Sequence, residues 1–584
     1  MEQAEISTDS AYPVSDAVWQ AGEAFAGVGA APRRAADRAE RVGPLTMPIH
    51  RMIGGISMFA QRSKPSFLAV AYLASSWLLL IVIAAAADRT KPPLRTPEAG
   101  PQPHINGPAV YGARPGRPFL YRIPCTGQRP IHFSANALPS SLHLDAVSGI
   151  ISGTAPTTPG KYALRLTAEN ARGKNARSFS IEVGERIGLT PQMGWNDWYS
   201  YYDRISEADV RASAEAMVAS GMADYGYEYV SIDDTWMKKP GSEDPALNGP
   251  VRDPIGAILP NRRFPDLPGL VRSIHDLGLK AGIYTSPGPL TCAGYEGSYQ
   301  HENQDAHQFA AWGFDLLKYD WCSYKQVATE RGGDRYEHPY RLMGGIVPGL
   351  DRDVILNFCE YGEADVWTWG REAGGNSWRT TGDLGLAPGA SLPGFYSIGM
   401  ANALHAQYAG PGGWNDPDYI LIGVVGDAHS RDAPAHPTRL SPAEQYSYMS
   451  MWSLMAAPLF FSGEVTKLDA FTLNVLCNSE VIDIDQDSLG RQAKVVRETS
   501  NELVLEKPLS DGSVAVGLFN LKDSPQEVSA GWADLGLDGR QAVRDVWRHK
   551  DLRPVQSRYS NRLAAHDVML IKLSPEHAPE KSPQ

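Results

Sequence analysis

With 584 residues, 43% of them hydrophobic and 21% charged, the chain is too long for a single hydrophobic core and has an ordinary globular composition, which excludes a disordered or polytopic membrane protein. A net charge of −12 leaves no basic footprint for nucleic acid and suits a soluble protein acting on neutral small molecules. Fourteen Trp and 25 Tyr would serve to stack on sugar rings, but large proteins bury many aromatics anyway, so the count alone decides nothing.

Residues 1–104 read as an N-terminal extension, an apolar segment and a linker. Residues 1–51 are rich in Ala, Arg and Glu, show no clear periodic face and receive no function. Phe67 to Ala87 is an uncharged apolar run behind Arg62 and Lys64, ending in small residues, the pattern of a secretory signal. The run is also long enough to span a bilayer, so a retained single-pass anchor is the alternative to cleavage. Translation is expected to start near the run, at Met52 or Met58. Either reading exports the remainder, to the periplasm or the extracellular space. Residues 88–104 are Pro-rich and of low hydrophobicity, which predicts a linker.

Over 105–185, short alternating runs (FLYRI, IHFSA, LHLDA, KYALRLTAEN, SFSIEV) between turn residues predict a small all-β sandwich. The stretch LPSSLHLDAVSGIISGTAPTTPGKYALRLTAEN resembles the immunoglobulin-like repeats of many bacterial surface and secreted proteins. A spacer or carbohydrate-binding role is open to it, as is that of an inert structural module.

Over 186–488 the pattern changes. Eight short apolar segments end in polar residues and alternate with helix-length stretches: LTPQMGWN, YEYVSIDD, LKAGIYTS, FDLLKYD, DVILNFCE, SWRTTGD, GGWNDPD and PLFFSG. This predicts a (β/α)₈ barrel, whose chemistry sits at the strands' C-terminal ends. Asp233, Asp234, Tyr284, Asp320, Glu360, Asp383 and Asp418 all fall there. A doubly wound sheet would want a Gly-rich phosphate loop after its first strand, and MGWNDW is not one. Residues 489–584 return to short strands (ELVLEKP, SVAVGLFN, VRDVW, HDVMLIKL) and predict a C-terminal antiparallel β-sandwich with a frayed tail.

In LKYDWC, Lys318 and Asp320 alternate to one side of a strand. A Lys favours the ionised form of a neighbouring carboxylate, and an ionised carboxylate can be a nucleophile; a structural ion pair is the plainer alternative. A second carboxylate is offered by SWRTTGD, where Arg379 precedes Asp383. Glycoside hydrolysis needs such a pair, one protonated and one ionised.

Taken in order, LTPQMGWNDW, SIDDTW, GIYTSPGPLTCAGYEGS, WGFDLLKYDWC, CEYG, WRTTGD, GGWNDPD and EVIDIDQDSLG resemble glycoside hydrolase family 27, the α-galactosidases and α-N-acetylgalactosaminidases. Any one motif would be weak; the ordered set is specific. The resemblance implies Asp320 as nucleophile and Asp383 as general acid/base. It implies Asp233 and Asp234 on the 6- and 4-hydroxyls of galactose, Lys318 on the 3- and 4-hydroxyls, Arg379 on the 2/3 side, and Glu360 near the 2-hydroxyl. Trp198 and Tyr284 are implied as aromatic walls, Asp418 as a further pocket residue, and Cys292–Cys322 as a disulfide beside the nucleophile.

Three features depart from the family pattern: Tyr419 follows NDPD where members often carry Met, YEGSYQHENQD replaces the usual YPGS, and Trp321 separates the nucleophile from its cysteine. The resemblance implies a retaining hydrolase of terminal α-galactosides. The alternatives are a β-L-arabinopyranosidase, α-N-acetylgalactosaminidase or isomaltodextranase-like activity on the same barrel, or a non-catalytic carbohydrate-binding surface protein. No metal or organic cofactor is implied, since His residues lack ligand spacing and no phosphate loop or CxxC pair occurs. The membrane is expected to matter only through the N-terminal segment, and oligomeric state is left open.

Overall fold

The computed structural model of the protein describes residues 92–384, 394–426 and 435–576. The apolar run Phe67–Ala87 and the last eight residues of the tail lie outside the described residues. Among those described, no helix is long and apolar enough to cross a membrane.

Residues 104–183 form the sandwich the alternation predicts. A four-stranded sheet, with Gly160–Asn170 and Gly173–Val183 as its long central hairpin, faces a three-stranded sheet of Pro118–Arg122, Ile150–Thr154 and Leu142–Leu144. Alternate residues Phe119, Tyr121, Ile151, Leu166, Phe179 and Ile181 fill the space between them.

The eight predicted barrel segments each form a strand: β1 Met193–Asn196, β2 Tyr229–Ser231, β3 Lys280–Thr285, β4 Leu316–Asp320, β5 Ile355–Cys359, β6 Ser377–Arg379, β7 Trp414–Asp416 and β8 Leu459–Phe461. They pair in parallel and in order from β1 to β7, with β8 beside β1. A parallel bridge between Ile420, just past β7, and Phe461 of β8 brings the two edges together. The predicted helices flank the sheet: α1, Glu207–Ala219, starts at a Ser206/Asp209 capping box, and α2, Leu267–Asp276, starts at Asp266. The strands are buried almost throughout, as parallel strands covered on both faces must be.

The C-terminal sandwich packs a six-stranded sheet against a two-stranded antiparallel sheet of Gln526–Gly531 and Arg558–Leu563. Period-2 alternation splits its main sheet between two cores. Leu503, Leu505, Phe519 and Leu570 join the barrel core, while Val504, Leu518, Met569 and Ile571 fill the sandwich interior.

The predicted linker is not free chain. Arg95 makes a two-pronged ion pair with Asp567 (2.7 and 2.9 Å) and lies 4.3 Å over the Tyr446 ring, and Thr96 is buried against Asn474. Its prolines set an extended course, and its polar groups find partners on the barrel and the C-terminal sandwich. The N-terminal sandwich is likewise docked at the strands' starting end: Tyr111 meets Lys280, which pairs with Glu228 at 2.7 Å, and Arg114 pairs with Asp353. A crevice of about 250 Å³ between Tyr111, Lys280 and Gln486 marks this junction, at the far end of the barrel from the candidate chemistry.

Candidate active site

At the C-terminal ends of the strands lies a cavity of about 230 Å³, below the ~300–1,000 Å³ usual for drug-sized ligands and suited to one pyranose ring. Its walls include Asp233 from β2, Tyr284 from β3, Lys318 and Asp320 from β4, Arg379 and Asp383 from β6, and Asp418 after β7, with Trp198 and Cys292 at the side. Alternation along β4 turns Lys318 and Asp320 inward, while Tyr319 packs outward on Tyr340 with ring centroids 5.5 Å apart.

Asp320 carries one phenol on each oxygen: Tyr361 Oη donates to Oδ1 at 2.7 Å and Tyr284 Oη to Oδ2 at 2.9 Å. Burial pushes the Asp320 carboxyl up to about 6, against the charge of Lys318 and the Tyr361 hydrogen bond, while the charge of Asp383 adds to the rise. Burial and the Asp320 charge hold both phenols well above their ordinary range, so they stay protonated and donate. Asp383 is the outermost acid, with 43% of its side chain exposed; Arg379 Nη1 and Nη2 each reach its Oδ1 at 3.2 Å. Arg379 also pairs with Asp418 at 3.3 Å. Asp418 sits at a left-handed φ of 78°, which an Asp tolerates better than most side chains. Its Oδ2 takes donors from Tyr199 and the Leu384 amide, and burial pushes its carboxyl up to about 6.

Asp233 Oδ2 accepts from Lys318 Nζ at 2.7 Å, Asn196 Nδ2 at 2.8 Å and Tyr419 Oη at 3.2 Å. Burial pulls the Lys318 pKa down, but the Asp233 carboxylate outweighs it and holds the ammonium charged. Cys292 and Cys322 are bonded, Cα atoms 5.0 Å apart, with Tyr284 Oη 3.4 Å from Cys322 Sγ. Among the described residues Cys292, Asp320 and Cys322 are the only cluster of metal-ligand types, and both sulfurs are committed to the disulfide.

Comparison with known proteins decides the lineage. The alpha galactosidase A profile matches residues 190–487, its C-terminal beta sandwich domain 503–573, and an Ig domain profile 102–184. An alpha-galactosidase of Oryza sativa subsp. japonica is 37% identical over 421 residues, 71% of this chain and 92% of that protein. The chain belongs to the alpha-galactosidase family, glycoside hydrolase family 27. A solved Bacteroides fragilis chain superposes with a TM-score of 0.75 at 34% identity, covering 82% of this chain and 100% of that one. A family 27 β-L-arabinopyranosidase from Geobacillus stearothermophilus superposes at 0.59 with 25% identity, covering 68% and 98%. Family 27 enzymes are retaining glycosidases.

Two sequence-predicted residues do not face the cavity. Glu360 is fully buried and off the cavity wall, and neither of its carboxylate oxygens has a hydrogen-bond partner; burial pushes its carboxyl well above the usual range. Asp234 is also off the wall: its Oδ1 takes the Thr235 amide at 2.6 Å, its Oδ2 the Ala293 amide at 2.9 Å, and burial lifts it to about 7. The other predicted residues converge.

Tyr199 and Tyr361 line the cavity without having been singled out, and Tyr419 does so as a donor to Asp233. A signal for Tyr361 was present. Asn357 contacts Asp416, and Cys359 contacts Arg379, so both face the barrel axis. Period 2 then turns Glu360 outward, toward Tyr340, and Tyr361 inward.

Proposed function

We propose that the chain is an exported, retaining α-galactosidase acting by double displacement, with Asp320 as nucleophile and Asp383 as acid/base. Supporting this most directly is Asp320 itself: a buried carboxylate gripped by two phenols in a one-sugar cavity, with a second, more exposed carboxylate lining the same cavity. In the first step an Asp320 oxygen attacks the anomeric carbon, the glycosidic C–O bond breaks, and Asp383 protonates the departing oxygen. In the second, Asp383 takes a proton from water, the water oxygen attacks the same carbon, and Asp320 leaves. Two inversions return the original configuration. Arg379, shared between Asp383 and Asp418, fixes the side of the cavity from which the proton comes.

Galactose is the proposed sugar, with Asp233 meeting its 6-hydroxyl and Lys318 its ring hydroxyls. Exclusion of α-N-acetylgalactosaminides falls to the cavity wall, which Tyr361 lines and the buried Glu360 does not. Export is proposed from the apolar run at 67–87 and from the Cys292–Cys322 bond, which persists in oxidising compartments.

Hydrolysis of a panel of nitrophenyl glycosides, with NMR of the first-formed sugar, tests the activity. Release of the α-anomer from the α-galactoside is expected, and a β-anomer would refute the double displacement. Labelling with a 2-deoxy-2-fluoro galactosyl reagent should modify the Asp320 peptide; a label elsewhere would reassign the nucleophile. N-terminal sequencing of natively secreted protein should find a start shortly after Ala84–Ala87, and an intact Met1 in the cytosolic fraction would sink the export reading.

A further inference from the structure

The cavity holds one pyranose ring, so whatever is joined to that sugar lies outside it. Burial separates the floor of the cavity from its mouth. Asp233, Lys318, Asp320 and Arg379 are buried, whereas Asp383 is exposed and the rings of Trp198 and Tyr202 are half-buried. Three tyrosines follow Trp198 closely, and their rings go separate ways. Tyr199 turns to the floor and donates to Asp418 at 3.0 Å. Tyr201 packs edge-on against Trp195, centroids 6.1 Å apart, and donates to Glu464. Tyr202 turns back to Trp198: the centroids are 5.0 Å apart and the planes meet at 65°, so the two rings form a corner at the mouth. The backbone that brings Tyr202 there has φ 50° and ψ −130°, the conformation of the first central residue of a type II′ turn. Glycine enters that region freely and side chains resist it, and strain of this kind gathers where a side chain is used. What tyrosine adds over glycine at this position is a ring on the rim of the cavity.

We infer that Tyr202 is a specificity-determining residue of a leaving-group subsite. With Trp198 it forms an aromatic corner that takes the second sugar of an α-galactosyl oligosaccharide against the apolar face of its ring. This rests on the reading that the cavity holds the galactosyl unit and that Asp383, at the same mouth, protonates the departing oxygen. Tyrosine and tryptophan supply large, rigid contact area for little loss of side-chain freedom, which suits a ring that is held for one step and then released. The corner therefore favours substrates whose leaving group is itself a ring. A leaving group too small to reach it gains nothing from Tyr202.

The test compares kcat/KM for an α-galactosyl disaccharide with that for α-galactosyl fluoride, whose leaving group is a single atom, in wild type, Tyr202→Gly and Tyr202→Phe. Glycine suits the backbone conformation at 202, so the variant that deletes the ring is expected to fold. Its disaccharide-to-fluoride ratio should fall roughly three- to tenfold below that of wild type, the size of effect one aromatic contact gives. Tyr202→Phe keeps the face that stacks and should hold the ratio within about twofold of wild type. Both rates come from one preparation, so their ratio does not depend on the folded fraction, and a merely structural role for Tyr202 would leave it unmoved. A ratio unchanged in Tyr202→Gly, or one that falls as far in Tyr202→Phe, overturns the stacking role of Tyr202 and leaves the activity reading standing. Absence of turnover of both galactosyl substrates in wild type overturns the activity reading, and this inference with it.

Discussion

Removing the Tyr361 hydroxyl should move the acid limb of activity to higher pH. Tyr361 donates at 2.7 Å to Oδ1 of a carboxylate that burial already lifts to about 6. Hydrogen bonds to charged groups contribute roughly 1.5–3 kcal/mol, and 1.36 kcal/mol corresponds to one pH unit. The bond favours the ionised form of Asp320, so losing it raises the carboxyl's pKa. The full bond would account for about one to two units; with Tyr284 still donating to Oδ2 and room for a water to replace part of the contact, a rise on the order of one unit is expected. The assay is kcat/KM against pH for an activated α-galactoside, because that profile reports the free enzyme. The limb near pH 6 in wild type should climb toward 7 in Tyr361→Phe, and Tyr284→Phe should move it the same way. A more basic Asp320 is also a poorer leaving group, so the variant should accumulate glycosyl-enzyme and show a burst of nitrophenol. A limb that stays in place, or moves to lower pH, would refute the assignment of Tyr361 as a donor to the nucleophile.

The two carboxylates should fail differently: Asp320→Ala should abolish turnover of every substrate, whereas Asp383→Ala should spare nitrophenyl substrates more than natural ones and be rescued by azide with retention. Equal losses on both substrate kinds would refute these roles. Non-reducing peptide mapping should find Cys292 linked to Cys322, with Cys125, Cys359 and Cys477 alkylated only after unfolding; free thiols at 292 and 322 in exported protein would contradict it. Arg95→Ala should lower the urea midpoint, since it removes a part-buried two-pronged ion pair and a ring contact, at a cost on the order of 1–3 kcal/mol. An unchanged midpoint would mean that the segment holding Arg95 adds nothing to the fold.

Much of the site was legible because its residues sit where strand periodicity and barrel geometry meet. Lys318 and Asp320 share the inner side of one strand, and Asp233, Arg379 and Asp418 lie at or just past strand ends, where a barrel exposes its side chains. Asp234 and Glu360 lie off the cavity wall for a related reason. Family position says which residue follows which, but facing direction is set by strand alternation and, past the strand end, by backbone turns. After Cys359 the chain enters left-handed φ at Tyr361 (65°), Gly362 (86°), Ala364 (51°) and Asp365 (53°). In that run Tyr361 keeps the inward side and Glu360 is buried behind it. Thr235, at φ 85°, turns the chain just after Asp234, whose carboxylate then serves the Ala293 and Thr235 amides.

Reading 88–104 as a linker carries no forecast of the contacts that Arg95 and Thr96 make. Low hydrophobicity argues against a core but not against order, because a segment can be fixed by polar contacts when its unfolded state has little freedom to lose. Pro92, Pro93 and Pro97 narrow that freedom on both sides of Arg95 and Thr96. The anchoring groups then meet partners far along the chain, Asp567 and Asn474. The same logic applies to the N-terminal sandwich, which meets the barrel through ion pairs such as Arg114–Asp353 and through Tyr111 on buried Lys280. Lys280 is held protonated by Glu228 against the pull of burial, so removing either partner leaves an uncompensated charge under the strand ends. The sandwich covers the Lys280–Glu228 pair through Tyr111, and any effect of deleting it on activity should come with a loss of barrel stability.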